Sequence, residues 1–313
     1  MGLHTLLGAN GTIANALFPI LSAKGHQIRL VSRSSRSVPG AENMSANLLN
    51  REQVFKAVEG SEIVYLLVGI TYNAKVWQAE WPVIIHNVTE ACKASNAKLV
   101  FFDNVYMHGK VDGVITEDTP YHPSSKKGAV RAEVATTLQS EMRAGKINAV
   151  IARAVDFYGP EVVDKSAAGV LVFANMAKGK KAQWFINPDV PRSYNYIPDA
   201  ARALDILSHD EKAYGQVWHL PSVQPALTGR QFIKIAAKYM NASDKVTVLP
   251  KWLLKMIGWF SPFMRDAYEM NYQDEFPFLF SSAKFEKAYG FVPTPYEEAI
   301  KTTADWFKHN YRP

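Results

Sequence analysis

The chain has 313 residues, of which 48% are hydrophobic and 20% are charged, and it contains a single cysteine, Cys92. One hydrophobic core usually stops growing at roughly 250–300 residues, so we expect one large domain with a smaller second one. A single cysteine excludes an internal disulfide framework and a cysteine-based zinc site, and it favours a reducing, cytoplasmic location. The eight histidines form no i,i+4 pair and no HExxH motif, so the sequence predicts no metal site.

The net charge of +6 admits a polyanionic partner or a small anionic ligand. Because no run of about five or six like charges and no aromatic-plus-basic RNA motif occurs, nucleic acid is disfavoured as a partner. The apolar stretch from Trp252 to Phe263 contains Lys255 and Pro262, and it is shorter than the about 20 residues that span a membrane. The N-terminus has no charged segment ahead of an apolar run, so no signal peptide is expected. Because the apolar stretch is too short to span a bilayer, no membrane partner is expected either.

In chain order, the first half alternates strand-like runs with amphipathic helical patterns. The predicted strands are LHTLLG, IRLVS, EIVYLLVG, KLVFFDN and NAVIARAV. Helical patterns such as Arg51 to Val58 and Val76 to Ala94 separate them. Parallel strands need crossovers of about a dozen residues or more, and these crossovers are usually helical. The alternation therefore predicts an α/β fold with a Rossmann-type, doubly wound parallel sheet.

After Pro160 the chain is richer in aromatic residues and prolines, and short helical patterns replace the regular alternation. A helix and a strand pattern that resemble the first half return between about residues 191 and 221. We therefore expect a first domain formed by residues 1–160 with about 191–221. A smaller, mainly helical second domain is expected from about 161–190 and 222–313.

The first predicted strand leads into GANGTIANAL, which places Gly8, Gly11 and Ala14 at positions i, i+3 and i+6. This arrangement is typical of a dinucleotide site, since Gly8 permits a tight turn, Gly11 lets the backbone approach a pyrophosphate, and Ala14 allows close helix packing. Backbone amides at the helix N-terminus would then face the anion, namely those of Asn10, Thr12 and Ile13. The alternative is an ordinary tight turn between a strand and a helix.

The end of the second predicted strand, VSRSSRS, follows the glycine turn by about 20 residues. An acidic residue here would bind the ribose 2′-hydroxyl of NAD, whereas an arginine pairs with the 2′-phosphate of NADP. Arg33 occupies this place, with Ser32, Ser34 and Arg36 beside it. The sequence therefore favours NADP as the cofactor over NAD. The alternative is that both arginines are solvated loop charges.

Several segments along nearly the whole chain follow one another in an order and spacing that is specific. They are GANGTIA, NLLNREQVFKAVEGSEIVYLLVG, NVYMHG, RAVDFYGP, SYNYIPDAARAL and YGFVPTPYEEAIKTTADWF. Together they resemble the extended short-chain dehydrogenase/reductase superfamily, in its NAD-dependent epimerase/dehydratase branch. The resemblance implies that Asn47 and Leu48 contact the adenine and that Val68 and Gly69 lie along the adenine ribose. It also implies that the loop beginning at Arg153 approaches the nicotinamide.

The chain departs from this family at the catalytic centre. The family uses a Tyr-x-x-x-Lys pair and a preceding Ser or Thr, but here Phe102, Asp103 and Asn104 occupy the serine region. Lys127 and Arg131 stand where the pair is expected, and at i,i+4 they share a helix face. The resemblance implies that Arg131 donates to ribose hydroxyls. A like charge and burial would lower the pKa of Lys127, which could then protonate a carbonyl oxygen.

Other roles for these residues stay open. Lys126, Lys127 and Arg131 can instead form an ordinary solvated basic face at the start of a helix. Asn104 and Tyr106 are further candidates for contact with a substrate carbonyl, although Tyr106 is equally consistent with a packing role. A proton donor from elsewhere, Tyr121, would require a displaced loop.

Three aromatic residues follow the EIVYLLVG strand, near the crevice where ligands bind in open α/β sheets: Tyr72, Trp77 and Trp81. Aromatic walls favour a small, partly planar or apolar substrate over a nucleotide sugar. The alternative is a core stripe, because Trp77 and Trp81 are four residues apart.

The leading hypothesis is an NADP-dependent oxidoreductase that transfers a hydride to or from a small carbonyl or alcohol substrate. In it, the first domain binds NADP and the second domain binds the substrate. The alternative is a non-catalytic NADP(H)-binding sensor or regulatory protein. A third hypothesis, an RNA-binding protein on the same fold, rests only on the positive charge. The resemblance is compatible with a monomer or a homodimer.

Overall fold

The structure is a computed structural model that describes residues 2–34 and 37–312, with the side chains of Pro262 and Phe263 left aside. The strands of the described residues are β1 (Leu3–Leu7), β2 (Gln27–Ser32), β3 (Glu42–Ser45), β4 (Ser61–Leu66), β5 (Lys98–Asp103), β6 (Val114–Ile115), β7 (Ala149–Arg153), β8 (Phe157–Tyr158), β9 (Ala182–Phe185), β10 (Asn195–Tyr196), β11 (Val217–His219), β12 (Val246–Leu249) and β13 (Leu279–Phe280). The α-helices are α1 (Thr12–Ala23), α2 (Arg51–Val58), α3 (Ala74–Ala94), α4 (Lys126–Arg143), α5 (Ala174–Ala177), α6 (Ile197–His209), α7 (Gly229–Met240), α8 (Lys251–Phe260), α9 (Pro262–Tyr268), α10 (Tyr272–Glu275), α11 (Ala283–Tyr289) and α12 (Tyr296–Asn310). A π-helical segment lies at Ala168–Phe173, and 3-10 turns lie at Tyr106–His108 and Glu211–Ala213.

The main sheet has seven strands in the order β11–β7–β5–β4–β1–β2–β3. The strand pairs from β3 across to β7 are parallel. The direction of winding reverses at β1, which lies between β2 and β4, and ligands of doubly wound folds bind beyond the carboxyl end of such a strand. This topology confirms the predicted Rossmann-type α/β fold.

The chain divides into two compact units, each built from separate stretches. The first unit comprises Met1–Met107, Lys126–Arg153 and Ala200–Trp218. The second comprises His108–Ser125, Ala154–Asp199 and His219–Pro313. Compared with the boundaries expected from the sequence, the N-terminal part of the first unit ends at Arg153 instead of about residue 160, its later part is Ala200–Trp218 instead of about 191–221, and the second unit also contains His108–Ser125. That each unit serves as a separate cofactor or substrate domain stays a prediction.

The core of the first unit forms because its central strands are apolar on both faces. All five residues of β7 are buried, as expected for a parallel strand covered by helices on both sides. Helix α3 begins after Asn73, whose side chain accepts hydrogen bonds from the backbone amides of Lys75 and Val76. Its inner face buries Cys92, and burial raises the pKa of this thiol to about 12. Buried residues of α3 and β5 thus pack together in one hydrophobic core.

The second unit has its own core, in which α7 and α12 pack with the π-helical segment. Helix α7 starts with a capping box between Thr228 and Gln231. Helix α8 is different, because it buries Leu254 but leaves Trp252 and Phe260 exposed, the latter by 88%. Within the described part of the chain, no helix combines the length and the apolar character that crossing a bilayer requires. The apolar stretch noted in the sequence thus consists mainly of α8, which has one exposed face.

Candidate cofactor and catalytic site

The glycine turn after β1 fits closely against the backbone that follows β4. Gly8 has φ of +101°, and a Cβ atom at this position would lie 2.7 Å from the Cα of Val68. The Gly11 amide donates to the carbonyl of Gly8 at 2.9 Å, and α1 begins at the next residue, Thr12. No acidic side chain occurs in the first turn of α1. The turn therefore has the strand–turn–helix form expected for an anion site, with a positive helix end.

We expect the substitution Gly8→Ala to destabilise the protein by about 1–3 kcal/mol, because alanine resists this φ and its methyl group would collide with the Val68 backbone. Gly69→Ala is the control, since a Cβ there meets nothing within 4 Å. The measurement is urea unfolding of the two variants. Equal stabilities would contradict the tight fit of the turn. If a dinucleotide lies along both positions, each variant also binds it more weakly.

The predicted 2′-phosphate region is ordered by short-range hydrogen bonds. Asn10 Nδ2 donates to the carbonyl of Ser34 at 3.1 Å, and Ser32 Oγ donates to the same carbonyl at 2.7 Å. Ser45 Oγ donates to the carbonyl of Arg33 at 2.9 Å, and the Arg33 side chain is exposed. The structure thus joins the glycine turn to the end of β2, while Arg36 lies outside the described residues. The preference for NADP stays a prediction.

The predicted adenine contacts follow β3 and β4. Asn47 is exposed, and its Oδ1 accepts from the Leu49 amide at 3.1 Å, so its side chain shapes the turn before α2. Leu48 is buried, and its carbonyl accepts from Asn87 Nδ2 at 2.9 Å. Val68 is half-buried, whereas Gly69 is exposed. The hydrogen bonds of Asn47 and Leu48 thus shape the loop that follows β3. Contacts of these four residues with a cofactor stay predictions.

Lys127 and Arg131 lie on one face of α4, and both side chains are buried. Their exposed fractions are 0% and 2%, whereas Lys126 is exposed. The alternative of a solvated basic face is therefore wrong for Lys127 and Arg131. Because a helix that connects parallel strands runs antiparallel to them, the first turn of α4 lies at the edge where the strands end. Lys127 belongs to that turn.

Arg131 forms an ion pair with Asp103, the last residue of β5. Both its Nε and its Nη2 donate to Asp103 Oδ1, the former at 2.9 Å. Arg153 ends the adjacent strand β7 in register with Asp103, and its Nε lies 3.6 Å from Asp103 Oδ2. All three side chains are buried. One carboxylate thus lies between two guanidinium groups at the carboxyl ends of two neighbouring strands.

The aromatic residues after β4 support these cations. The guanidinium carbon of Arg131 lies 4.1 Å from the ring centroid of Trp81, and Lys127 Nζ lies 4.2 Å from that of Tyr72. Trp77 packs edge-to-face with both Tyr72 and Trp81, and both tryptophans are buried. Desolvated cation–π contacts of this kind contribute about 2 kcal/mol. The tryptophans therefore belong to the core, where they help to hold Arg131, while Tyr72 covers Lys127.

Asn104 and Tyr106 lie in the turn directly after β5. Asn104 Oδ1 accepts from the Tyr106 amide at 3.0 Å, so the asparagine side chain organises the 3-10 turn. The Tyr106 ring stacks on Trp77 with 6.1 Å between centroids. Tyr121, in the second unit, is half-buried and packs edge-to-face with His108. Direct roles for Asn104 and Tyr106 toward a substrate stay predictions.

The second unit contains a buried ionic cluster that the sequence patterns did not indicate. Arg192 donates to Asp274, lies 3.4 Å from Asp156 Oδ2, and contacts Gln273 Oε1 at 3.3 Å. Burial raises the pKa of both carboxyl groups, while Arg192 opposes this effect. Burial also opposes the charge of Arg192, but Asp274 and its neighbours raise the pKa of Arg192 overall. The cluster joins elements that are far apart in sequence, so local spacing could not predict it.

Comparisons with known proteins agree with this architecture. Residues 5–219 match the model of the NAD dependent epimerase/dehydratase family. Three similar solved structures are a Thermus thermophilus UDP-glucose 4-epimerase in complex with NAD, a Bacillus cereus UDP-glucuronic acid 4-epimerase in complex with NAD, and a Bacillus anthracis dTDP-glucose 4,6-dehydratase in complex with NAD.

The Thermus structure is 19% identical with a TM-score of 0.80, and the match covers 99% of this chain and 100% of that one. The B. cereus structure is 16% identical with a TM-score of 0.80, over 99% and 100% of the two chains. The B. anthracis structure is 14% identical with a TM-score of 0.82, over 99% and 97%. A search of curated proteins finds no match. Identities this low support a common fold.

Proposed function

Because this chain belongs to the NAD dependent epimerase/dehydratase family, a family of enzymes, we propose that it is an NADP-dependent oxidoreductase acting on a small carbonyl or alcohol substrate. The observation that carries the proposal is the Lys127 side chain. It is completely buried on the first turn of α4, with its ammonium group over the ring of Tyr72. A buried lysine at the substrate edge of a Rossmann sheet is unusual for a structural role and is well suited to proton transfer.

The dinucleotide would bind at the glycine turn, which packs against the Val68 backbone because Gly8 has no Cβ. The helix end and its amides would hold the pyrophosphate, and Arg33 would pair with the 2′-phosphate. The residues proposed to hold the cofactor are Gly8, Asn10, Gly11, Thr12, Ile13, Ser32, Arg33, Ser34, Asn47, Leu48, Val68, Gly69 and Arg131. When bound, the nicotinamide supplies or accepts the hydride.

Lys127 would act as the acid that protonates the substrate oxygen, or as the base in the reverse direction. Little solvent surrounds Lys127, because Tyr72 covers its ammonium group and this face of α4 is buried. Asp103 holds Arg131 in position and thereby fixes the face of α4 that presents Lys127. Asp103 is therefore a positioning residue.

The second candidate function is a non-catalytic NADP(H) sensor, and one observation favours it. Arg131, which takes the place of the family lysine, is bound by the buried carboxylate of Asp103. A guanidinium held in this way has fewer donors for the ribose of a cofactor. If Lys127 also serves packing alone, the site would bind a nucleotide without turning over a substrate.

Titration calorimetry with NADPH and with NADH tests the cofactor assignment. We expect NADPH to bind more tightly than NADH, and Arg33→Glu to weaken NADPH binding by about 10–100-fold, as loss of a charged hydrogen bond predicts. Arg143→Glu is the control, because Arg143 is exposed at the far end of α4. An unchanged NADPH affinity in Arg33→Glu would contradict the assignment. Absence of binding by either nucleotide would rule out both the enzyme and the sensor.

A further inference from the structure

Three histidines that are distant in sequence meet in the first unit, at the edge opposite the glycine turn. His4 is the second residue of β1, His26 directly precedes β2, and His209 is the last residue of α6. Their ring centroids are 4.1 Å apart for His4 and His26, 5.1 Å for His26 and His209, and 5.6 Å for His4 and His209. Each ring offers a nitrogen that lies within 4.8 Å of the other two. The three imidazoles therefore converge on one point.

The spacing of the nitrogens fits a tetrahedral metal ion. Zinc binds imidazole nitrogen at about 2.0–2.1 Å, so two nitrogens on one tetrahedral ion are about 3.3–3.4 Å apart. His26 Nε2 and His209 Nε2 are separated by 3.2 Å. The candidate nitrogens of all three rings lie within 4.8 Å of one another, so a nitrogen of His4 would have to move closer to bind the same ion. The three candidate ligands are all imidazoles, and imidazole is a ligand type that suits Zn²⁺.

Neighbouring groups orient two of the three rings as they do in known metal sites. His209 Nδ1 lies 2.7 Å from the carbonyl of Asp205, to which its N–H can donate, so that Nε2 remains a ligand. His4 Nδ1 lies 3.1 Å from the hydroxyl of Tyr65. His26 Nδ1 is buried and has no hydrogen-bond partner among residues 2–34 and 37–312. No hydrogen bond among these described residues therefore offsets the burial of His26 Nδ1.

Burial and neighbouring charges act on two of the three histidines. Burial, followed by the charges of His26, His209 and Lys24, lowers the pKa of His4 to about 3. Burial, followed by the charge of His209, lowers the pKa of His26. Lys24 is the nearby cation, and Asp205 neutralises it through an ion pair of 2.6 Å.

We propose that His4, His26 and His209 form a zinc site. The side chain of His209 is 36% exposed, which leaves the fourth coordination position accessible to water, as in other sites with three protein ligands. The ion links β1, the turn before β2 and the end of α6, so its binding stabilises the first unit. The spacing of the histidines in the sequence predicted no metal site, whereas their positions in the structure favour one. Zinc titration decides between these two expectations. It is independent of the function proposed for the opposite edge.

The test is calorimetric titration of the untagged full chain with ZnCl₂, after removal of metals with EDTA and dialysis. We expect one Zn²⁺ per chain and a higher melting temperature with zinc. His26→Ala and His209→Ala should each weaken binding by at least about tenfold. His86→Ala is the matched control, because His86 is exposed on α3, away from the cluster. His4 is not substituted, because it is buried in β1 and its loss could impair folding.

Titration with Co²⁺ gives a second readout that does not depend on stability. Tetrahedral coordination by three imidazoles should produce a visible absorption band that His209→Ala loses and His86→Ala retains. Binding that His26→Ala and His209→Ala leave unchanged would overturn the proposal. The absence of saturable binding at micromolar zinc would also overturn it.

Discussion

Replacing Asp103 with alanine is expected to lower the free energy of unfolding by about 3–5 kcal/mol, as breaking a buried ion pair does. Asp103 lies between Arg131 and Arg153, and all three side chains are buried. Without the carboxylate, both buried guanidinium groups would lose the charge that Asp103 provides, and arginine cannot release its proton. Urea unfolding followed by circular dichroism gives the value.

Two variants make this measurement decisive. Asp103→Asn keeps an oxygen acceptor but removes the charge, so we expect an intermediate loss that remains measurable if the alanine variant does not fold. Asp164→Ala serves as the control, because Asp164 pairs with Lys165 on the surface, where ion pairs contribute about 0–1 kcal/mol. Should Asp103→Ala cost no more than Asp164→Ala, the ion pair would have no structural importance.

Lys127→Met should lower the catalytic rate by about 10²–10⁴-fold, the usual contribution of a general acid, while NADPH binding is preserved. Methionine has a similar length and tolerates burial, so the fold should persist. The assay follows NADPH oxidation with a panel of small aldehydes and ketones. UDP-glucose with the oxidised cofactor, followed by product analysis, forms a separate arm because one similar structure is a UDP-glucose 4-epimerase.

Lys126→Met is the matched control for this substitution, since Lys126 is the adjacent residue on α4 and is exposed. It should leave the rate unchanged. A pH profile adds an independent readout, because removal of the acid abolishes the limb of the profile that this group produces. Full activity of Lys127→Met would exclude the proposed role. Binding of NADPH without turnover of any compound by the parent protein would favour the sensor.

The fold could be predicted from the sequence because its signals are local. The order of strands and helices follows from short apolar runs and from helical periodicity, and the turn at Gly8 follows from a glycine pattern in a strand–turn–helix context. Each of these signals lies within a few tens of residues. The boundaries of the two units are less local, since they depend on where separate stretches pack, and His108–Ser125 has no distinctive composition.

The candidate site was predictable only in part. The i,i+4 spacing of Lys127 and Arg131 correctly indicated a shared helix face, because helix geometry alone determines it. The burial of that face and the pairing of Arg131 with Asp103 depend on β5, which is 28 residues away in the chain. The histidine cluster is harder still, since its members come from positions 4, 26 and 209. Contacts of this kind follow from topology and leave no pattern in local spacing.

Because Cys92 is buried on α3, the rate of its chemical labelling can report local opening of the protein. The thiolate is the form that reacts with alkylating reagents, and a buried thiol with a pKa of about 12 is almost entirely protonated at neutral pH. Labelling therefore proceeds only when α3 separates from the sheet, so its rate measures how often that happens. A nucleotide bound at the glycine turn stabilises the same unit and would slow the labelling. The single thiol of the chain can thus detect a ligand that binds elsewhere in the same unit.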